Sequence, residues 1–153
     1  MSREHVSHAE IARFAQDRVN LVSQDDGSFL KTNIPLHLEF IRKRKRAQPN
    51  DFSQVVRLVK FWAARMKAAD DGFRFKSFMI ELILAKLADE GLSFSDYPEA
   101  LQHFFTYLAR TDLQEKIFFT DNYPASSMGT FSERVQIIDP VNGANNVSRL
   151  YTD

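Results

Sequence analysis

The sequence predicts a mainly α protein, a helical bundle trimmed with a few short strands. Three stretches carry that expectation. From Asp51 to Met66, residues Phe52, Val55, Val56, Val59, Trp62, Ala63 and Met66 recur at i, i+3, i+4 and i+7, which draws one apolar stripe along a helix. From Phe75 to Glu90 the chain is apolar nearly all round, the pattern of a central helix covered by its neighbours. From Tyr97 to Arg110, Asp96, Pro98 and Glu99 form a capping-box start, and Leu101, Phe104, Phe105 and Leu108 share the inward face.

The remaining elements follow in chain order. Met1 to about Asp17 reads as an amphipathic or frayed helix, with Ile11, Phe14 and Ala15 on one face. Arg18 to Ser23 alternates like a short strand, Gln24 to Gly27 is a turn, and Leu30 to Asn33 returns as a second short strand. Pro35 suits the first turn of a helix through the basic run Arg42-Lys43-Arg44-Lys45-Arg46, with Thr32 or Asn33 as its cap. Gly72 closes the loop after the Asp51 helix, and Gly91 stops the central one. Beyond Arg110, Ile117 to Thr120 reads as a strand, Ser126 to Thr130 as a flexible loop, and Val135 to Ile138 as a short buried strand. Asp139-Pro140 and Asn142-Gly143 are turn dipeptides, and a further helix begins near Asn146. The organisation expected is a segment with short strands over 1–34 and a helical domain over 35–153.

Composition narrows the function classes. With 153 residues, 44% hydrophobic and 26% charged, the chain can bury a core and is not disordered as a whole. The formal net charge is zero, so no strongly basic field invites non-specific nucleic-acid binding. The absence of cysteine excludes disulfides and thiolate metal sites. MSREHVSHAE lacks the apolar core of a signal peptide and no apolar run reaches membrane-spanning length, so a cytoplasmic protein with no membrane partner is expected. Ten of the fourteen phenylalanines lie between Phe52 and Phe119, and that segment is expected to supply most of the core.

Few residues suggest chemistry. Lys60 follows Arg57 by one turn on the polar side of its helix; two cations so placed repel unless an anion lies between them, although the same spacing describes two solvated charges. Lys76 and Ser77 stand in the first turn of an otherwise apolar helix. Free N–H groups and the helix dipole favour an anion there, and the plain alternative is a local cap beside a snorkelling lysine. Glu81, one turn on and among hydrophobes, calls for a cationic partner such as Lys60, Lys76 or an arginine. The run Arg42, Lys43, Arg44, Lys45 and Arg46 is either a solvated face or a polyanion patch. His37 and His103 fall in no metal-ligand spacing and are read as structural, and Asp25-Asp26 before Gly27 is ordinary turn chemistry. No phosphate-binding loop, GxSxG or metal-ligand cluster is found, so no catalytic residue and no metal ligand is assigned.

Three stretches in register resemble a known family. They are Val56-Arg57-Leu58-Val59-Lys60-Phe61-Trp62, Phe75-Lys76-Ser77-Phe78-Met79-Ile80-Glu81-Leu82, and Ile138-Asp139-Pro140-Val141-Asn142 with Asn145-Asn146-Val147. Together they resemble the C-terminal helical half of the bacterial cyclic-oligonucleotide synthases of anti-phage (CBASS) defence, relatives of cyclic GMP-AMP synthase, 2′-5′-oligoadenylate synthetase and the archaeal CCA-adding enzymes. Thr32 to Phe40 resembles the segment joining the two halves. The resemblance implies a nucleoside triphosphate as ligand, with Lys60 and Ser77 on the triphosphate, Lys76 beside them, and Phe78 stacked on the base. It implies that Asp139 and Asn146 anchor a turn.

It also implies what is missing. Family members carry a Gly-Ser motif and an Asp-x-Asp pair, both absent here; Asn20 is the one residue that could be proposed for the third aspartate, and asparagine binds magnesium poorly. The closing C-terminal helix is largely absent too. The expectation is a truncated, nucleotide-binding helical half, inactive alone. Mg2+ would be required only with a complete palm domain, and the protein partner expected is a complementing palm half or a second copy in a homo-oligomer. The competing expectation is a non-enzymatic module that binds a partner or nucleic acid through residues 42–46.

Overall fold

The computed structural model describes residues 19–22, 29–73 and 75–149. The expected helix over Met1 to Asp17 and the turn at Gln24 to Gly27 lie outside the described residues. Two strands, β1 (Val19–Val22) and β2 (Phe29–Thr32), pair antiparallel with Val19 opposite Thr32 and Val22 opposite Phe29. Four helices follow: α1 (Ile34–Ala47), α2 (Asp51–Ala69), α3 (Ser77–Asp89) and α4 (Tyr97–Thr111).

Each helix begins and ends for a local reason. Asn33 caps α1, its Oδ1 accepting the Leu36 N–H at 3.2 Å, and Pro35 sits in the first turn. Asn50 precedes α2 with φ of 64°, a left-handed geometry that asparagine tolerates better than most residues. Helix α2 runs to Ala69 rather than stopping at Met66, because Lys67, Ala68 and Ala69 are all good helix formers. Helix α3 begins at Ser77, two residues later than the apolar pattern suggests. Phe75 is instead drawn into an aromatic cluster, its ring 6.2 Å from Trp62 and 6.1 Å from Phe73. Gly91, at φ of 100°, makes the turn out of α3 that a Cβ would strain. Asp96 caps α4 through the Glu99 N–H at 3.1 Å.

Helix α3 is central, as its all-round apolar sequence requires, and packs on α1, α2 and α4. Met79, Ile80, Leu82, Ile83, Leu84 and Ala85 are fully buried. Phe52 of α2 stacks on Phe94 at 5.5 Å and 7°, and Trp62 meets Phe105 edge-on at 4.8 Å. Gln48 joins the α1–α2 corner to the loop after α3: its Nε2 donates to Leu92 O and its Oε1 accepts the Phe94 N–H. Tyr107, with Ala100 and Phe104, forms the buried face of α4, while Leu101, Phe105 and Leu108 are only partly covered.

After α4 the expected strands shrink to single bridges, Ile117 with Ile137 and Ile138 with Asn146. The reason lies in the side chains. Asn146 Oδ1 accepts the Ile137 N–H at 3.0 Å, while Asn146 Nδ2 and Ser148 Oγ both donate to Val135 O, so side chains satisfy backbone that a longer ladder would otherwise pair. The expected helix at Asn146 is a turn in which Arg149 N–H reaches Asn146 O. The loop after Pro124 contains a 3-10 turn, Ala125–Ser127, and Gly129 N–H ties it to Gly143 O. No helix among the described residues is long and apolar enough to cross a membrane.

Candidate functional site

Lys76, Ser77 and Phe78 form the start of α3, and Lys60 meets that helix one turn further on, at Glu81. Lys60, on α2, extends its Nζ to within 2.6 Å of Glu81 Oε1, one turn into α3, and both side chains are about a quarter exposed. Glu81 therefore has the cationic partner its surroundings demanded. Ser77 is the first residue of α3 and is exposed; Lys76 precedes it at the cap position, where no side chain caps the helix. The first N–H groups of a helix lack intrahelical partners, so this end offers donors, partial positive charge and a hydroxyl in one place. Lys76 Nζ donates to Val147 O at 3.3 Å, which binds the end of α3 to the turn after Asn145.

Phe78 is partly buried beside this end. Its ring lies 5.4 Å from the ring of His37 at 59°. His37, in the first turn of α1, also brings Nε2 to 3.4 Å from Asp139 Oδ1. That Nε2 is buried and makes no hydrogen bond. Asp139 is committed elsewhere: Oδ1 accepts the N–H groups of Val141 (2.8 Å) and Asn142 (3.1 Å), and Oδ2 accepts Asn145 Nδ2 (3.2 Å). Tyr123 OH donates to the Asp139 carbonyl at 2.6 Å, and burial together with the nearby Asp139 carboxylate pushes its pKa up to about 12. Asp139 and Asn146 thus hold a turn together rather than face a ligand.

His37, read from the sequence as structural, lies between Phe78 and Asp139. It stands alone in the sequence because Asp139 and Phe78 reach it only through folding. Burial holds its pKa below the ordinary value of about 6.5, against the opposing pull of Asp139 and Glu81. The depressed folded value means that the unfolded chain binds more protons as the pH falls through about 6.5. Stability is therefore complete above that pH and is lost toward the lower folded value. Urea unfolding at pH 7.5 and pH 5.5 is expected to show a larger loss for the wild type than for His37→Phe. Equal losses would contradict the assignment.

The basic run does not form one surface. Arg42, Lys43, Lys45 and Arg46 are exposed, but Arg44 turns inward and is 4% exposed, with its guanidinium bound by Asp89 and Asp121. This corrects the patch of five cations expected over 42–46. A helix rotates successive side chains by about 100°, so five consecutive residues cannot share one face, and this face packs on the core through Phe40. Of the rest, Lys43 lies 3.7 Å from Asp121 and Arg46 pairs with Glu39. Arg57, one turn before Lys60, is exposed. Among the described residues no group of three or more His, Cys, Asp or Glu could hold a metal ion.

No family model matches the chain. It is 67% identical over 135 residues to the cyclic AMP-AMP-AMP synthase of Escherichia coli strain MS 115-1, an alignment that covers 88% of this chain and 42% of that protein. It is 35% identical over 128 residues to the CBASS oligonucleotide cyclase CdnC of E. coli strain KTE188, over 84% of this chain and 38% of the other. The structure of E. coli MS115-1 CdnC with ATP superposes with a TM-score of 0.84 at 68% identity, covering 87% of this chain and 42% of that one. The complex of the same CdnC with HORMA-deltaN gives 0.79, over 82% and 40%. The chain spans about two fifths of the length of the curated relatives it matches. The resemblance read from its motifs therefore stands: this chain is related in sequence and fold to a part of the bacterial cyclic-oligonucleotide synthases of CBASS defence.

Proposed function

We propose that this chain is the nucleoside-triphosphate-binding helical part of a cyclic-oligonucleotide synthase in anti-phage signalling. The observation that carries the proposal is the pairing of Lys60 with Glu81, one turn into α3, on a helix whose start has no side-chain cap and an exposed Ser77. In this reading Lys60 neutralises the triphosphate, and Glu81 keeps its ammonium aimed and extended. Ser77 Oγ and the first-turn N–H groups add neutral donors. Lys76, tethered at Val147 O, contributes charge from the opposite side of the turn. Phe78 offers an apolar ring to the base, and stacking of this kind is worth about 1–3 kcal/mol per base. The relative's structure with ATP supports the choice of ligand.

Phosphoryl transfer aided by two magnesium ions needs clustered carboxylates. The described residues do not fit such a pair, since Glu81 is bound to Lys60 and Asp139 to its own turn. The chemistry is therefore assigned to a metal-binding palm half, and this part is assigned binding and orientation. The chain by itself is expected to release no pyrophosphate from magnesium–ATP, and turnover that persists through purification would contradict that.

The direct test is a magnesium–ATP titration of the purified chain by calorimetry, beside Lys60→Ala. Hydrogen bonds to charged groups contribute about 1.5–3 kcal/mol, so the substitution should weaken binding by roughly 10- to 100-fold. Glu81→Gln should weaken it less, because the lysine remains while its aim is loosened. A folded chain that binds ATP equally well with and without Lys60 would overturn the proposal.

A further inference from the structure

His37 does more than fill space at the entry to α1. Its ring touches Phe78 of α3 at 5.4 Å and 59°, and its Nε2 lies 3.4 Å from Asp139 Oδ1 in the turn that Tyr123 and Asn145 hold rigid. Three segments far apart in sequence therefore converge on one imidazole: the first turn of α1, the first turn of α3 and the 139–145 turn. Phe78 is only partly buried, so the core does not by itself fix its ring. The His37 contact braces that ring on one side. Partly covered aromatic side chains keep rotamer freedom that binding would otherwise have to freeze.

We propose that His37 is a positioning residue that presets the orientation of the Phe78 ring for a planar ligand. The proposal rests on the nucleotide reading above for its ligand, but the ring contact exists without one. It makes a demand that general structural support does not. Removing the imidazole should weaken a ligand that carries a base and leave a bare polyphosphate untouched, because the phosphate groups would meet Lys60 and Ser77 instead.

The experiment titrates the full chain with ATP and with inorganic tripolyphosphate, for the wild type, His37→Ala, His37→Phe, Phe78→Ala and the His37→Ala/Phe78→Ala double variant. Aromatic NMR of ring-labelled phenylalanine is recorded on the ligand-free wild type and His37→Ala. Expected are a roughly three- to tenfold loss of ATP affinity in His37→Ala, equivalent to about 0.7–1.4 kcal/mol, and unchanged tripolyphosphate affinity. His37→Phe, which keeps a ring against Phe78, should recover most of the ATP affinity. Once Phe78 is alanine, removing His37 should cost nothing more. The Phe78 ring signals should shift or broaden in ligand-free His37→Ala.

Equal losses for ATP and tripolyphosphate, or additive losses in the double variant, would overturn the proposal. If the wild type binds neither ligand, the nucleotide reading fails and the NMR decides this one: altered Phe78 signals uphold the positioning contact, and unchanged signals reject it.

Discussion

Arg44→Ala is expected to cost about 3 kcal/mol of stability, at the lower end of what breaking a buried ion pair exacts. The guanidinium donates Nη1 to Asp121 Oδ2 at 2.7 Å and to the Phe40 carbonyl at 3.1 Å. It donates Nη2 to Asp89 Oδ2 at 2.7 Å and Asp121 Oδ1 at 3.1 Å. It also lies over the Phe40 ring, 3.8 Å from its centroid. Alanine would remove this bracing of α1, α3 and the segment after α4 together. It would leave Asp121, whose side chain is 17% exposed, with the longer 3.7 Å contact to Lys43, whereas Asp89 at 44% can rehydrate. Arg44 holds the Asp121 carboxyl below the usual carboxylate range, so stability from this group is complete above the ordinary carboxylate pKa and fades as the pH falls through the lowered one. Urea unfolding of Arg44→Ala beside the exposed neighbour Lys45→Ala checks the expectation. Lys45→Ala should stay within about 0.5 kcal/mol of wild type, and a comparably small effect at Arg44 would show that the network contributes nothing.

Asn146→Ala should be of similar size, again about 3 kcal/mol, for a different reason. The Asn146 side chain is buried, accepts from the Ile137 N–H (3.0 Å) and the Ser148 N–H (3.1 Å), lies 2.7 Å from Ser148 Oγ, and donates to Val135 O (2.9 Å). Alanine would leave buried backbone donors without their acceptor, at about 1–3 kcal/mol for each group left unsatisfied. Ile137 N–H would retain only the longer contact with Ser148 Oγ at 3.3 Å. Asn146→Asp keeps the acceptor and loses the donor to Val135 O, so it should fall between wild type and alanine. Because Val147 O anchors Lys76, the alanine variant should also weaken ATP binding under conditions where it remains folded. A urea midpoint unchanged from wild type would show that the turn is held by Ser148 and Asp139 without it.

The helices were legible in the sequence because each depends on local information. The apolar stripe from Phe52 to Met66, the Asn33 and Asp96 caps and the stop at Gly91 act within a few residues, and a helix needs nothing more distant to start, face and end. The motif resemblance singled out Lys60, Lys76, Ser77 and Phe78, and the need of Glu81 for a cation followed from its hydrophobic neighbours in sequence. The strands after α4 were misjudged because an apolar run does not say who will pair with it. There, Asn146 and Ser148 compete with a neighbouring strand for the same backbone groups, and they win.

Sequence by itself determined the helical class, the central place of α3 and the lysine–carboxylate pairing to be expected near its start. Only the tertiary structure decided that the 42–46 run is split, since the rotation of α1 and the packing of Phe40 send Arg44 inward toward Asp89 and Asp121. It alone put His37 against Phe78 and Asp139. Those contacts join residues 41 and 102 positions apart, and no local pattern encodes a distance that only the closing of the core makes short.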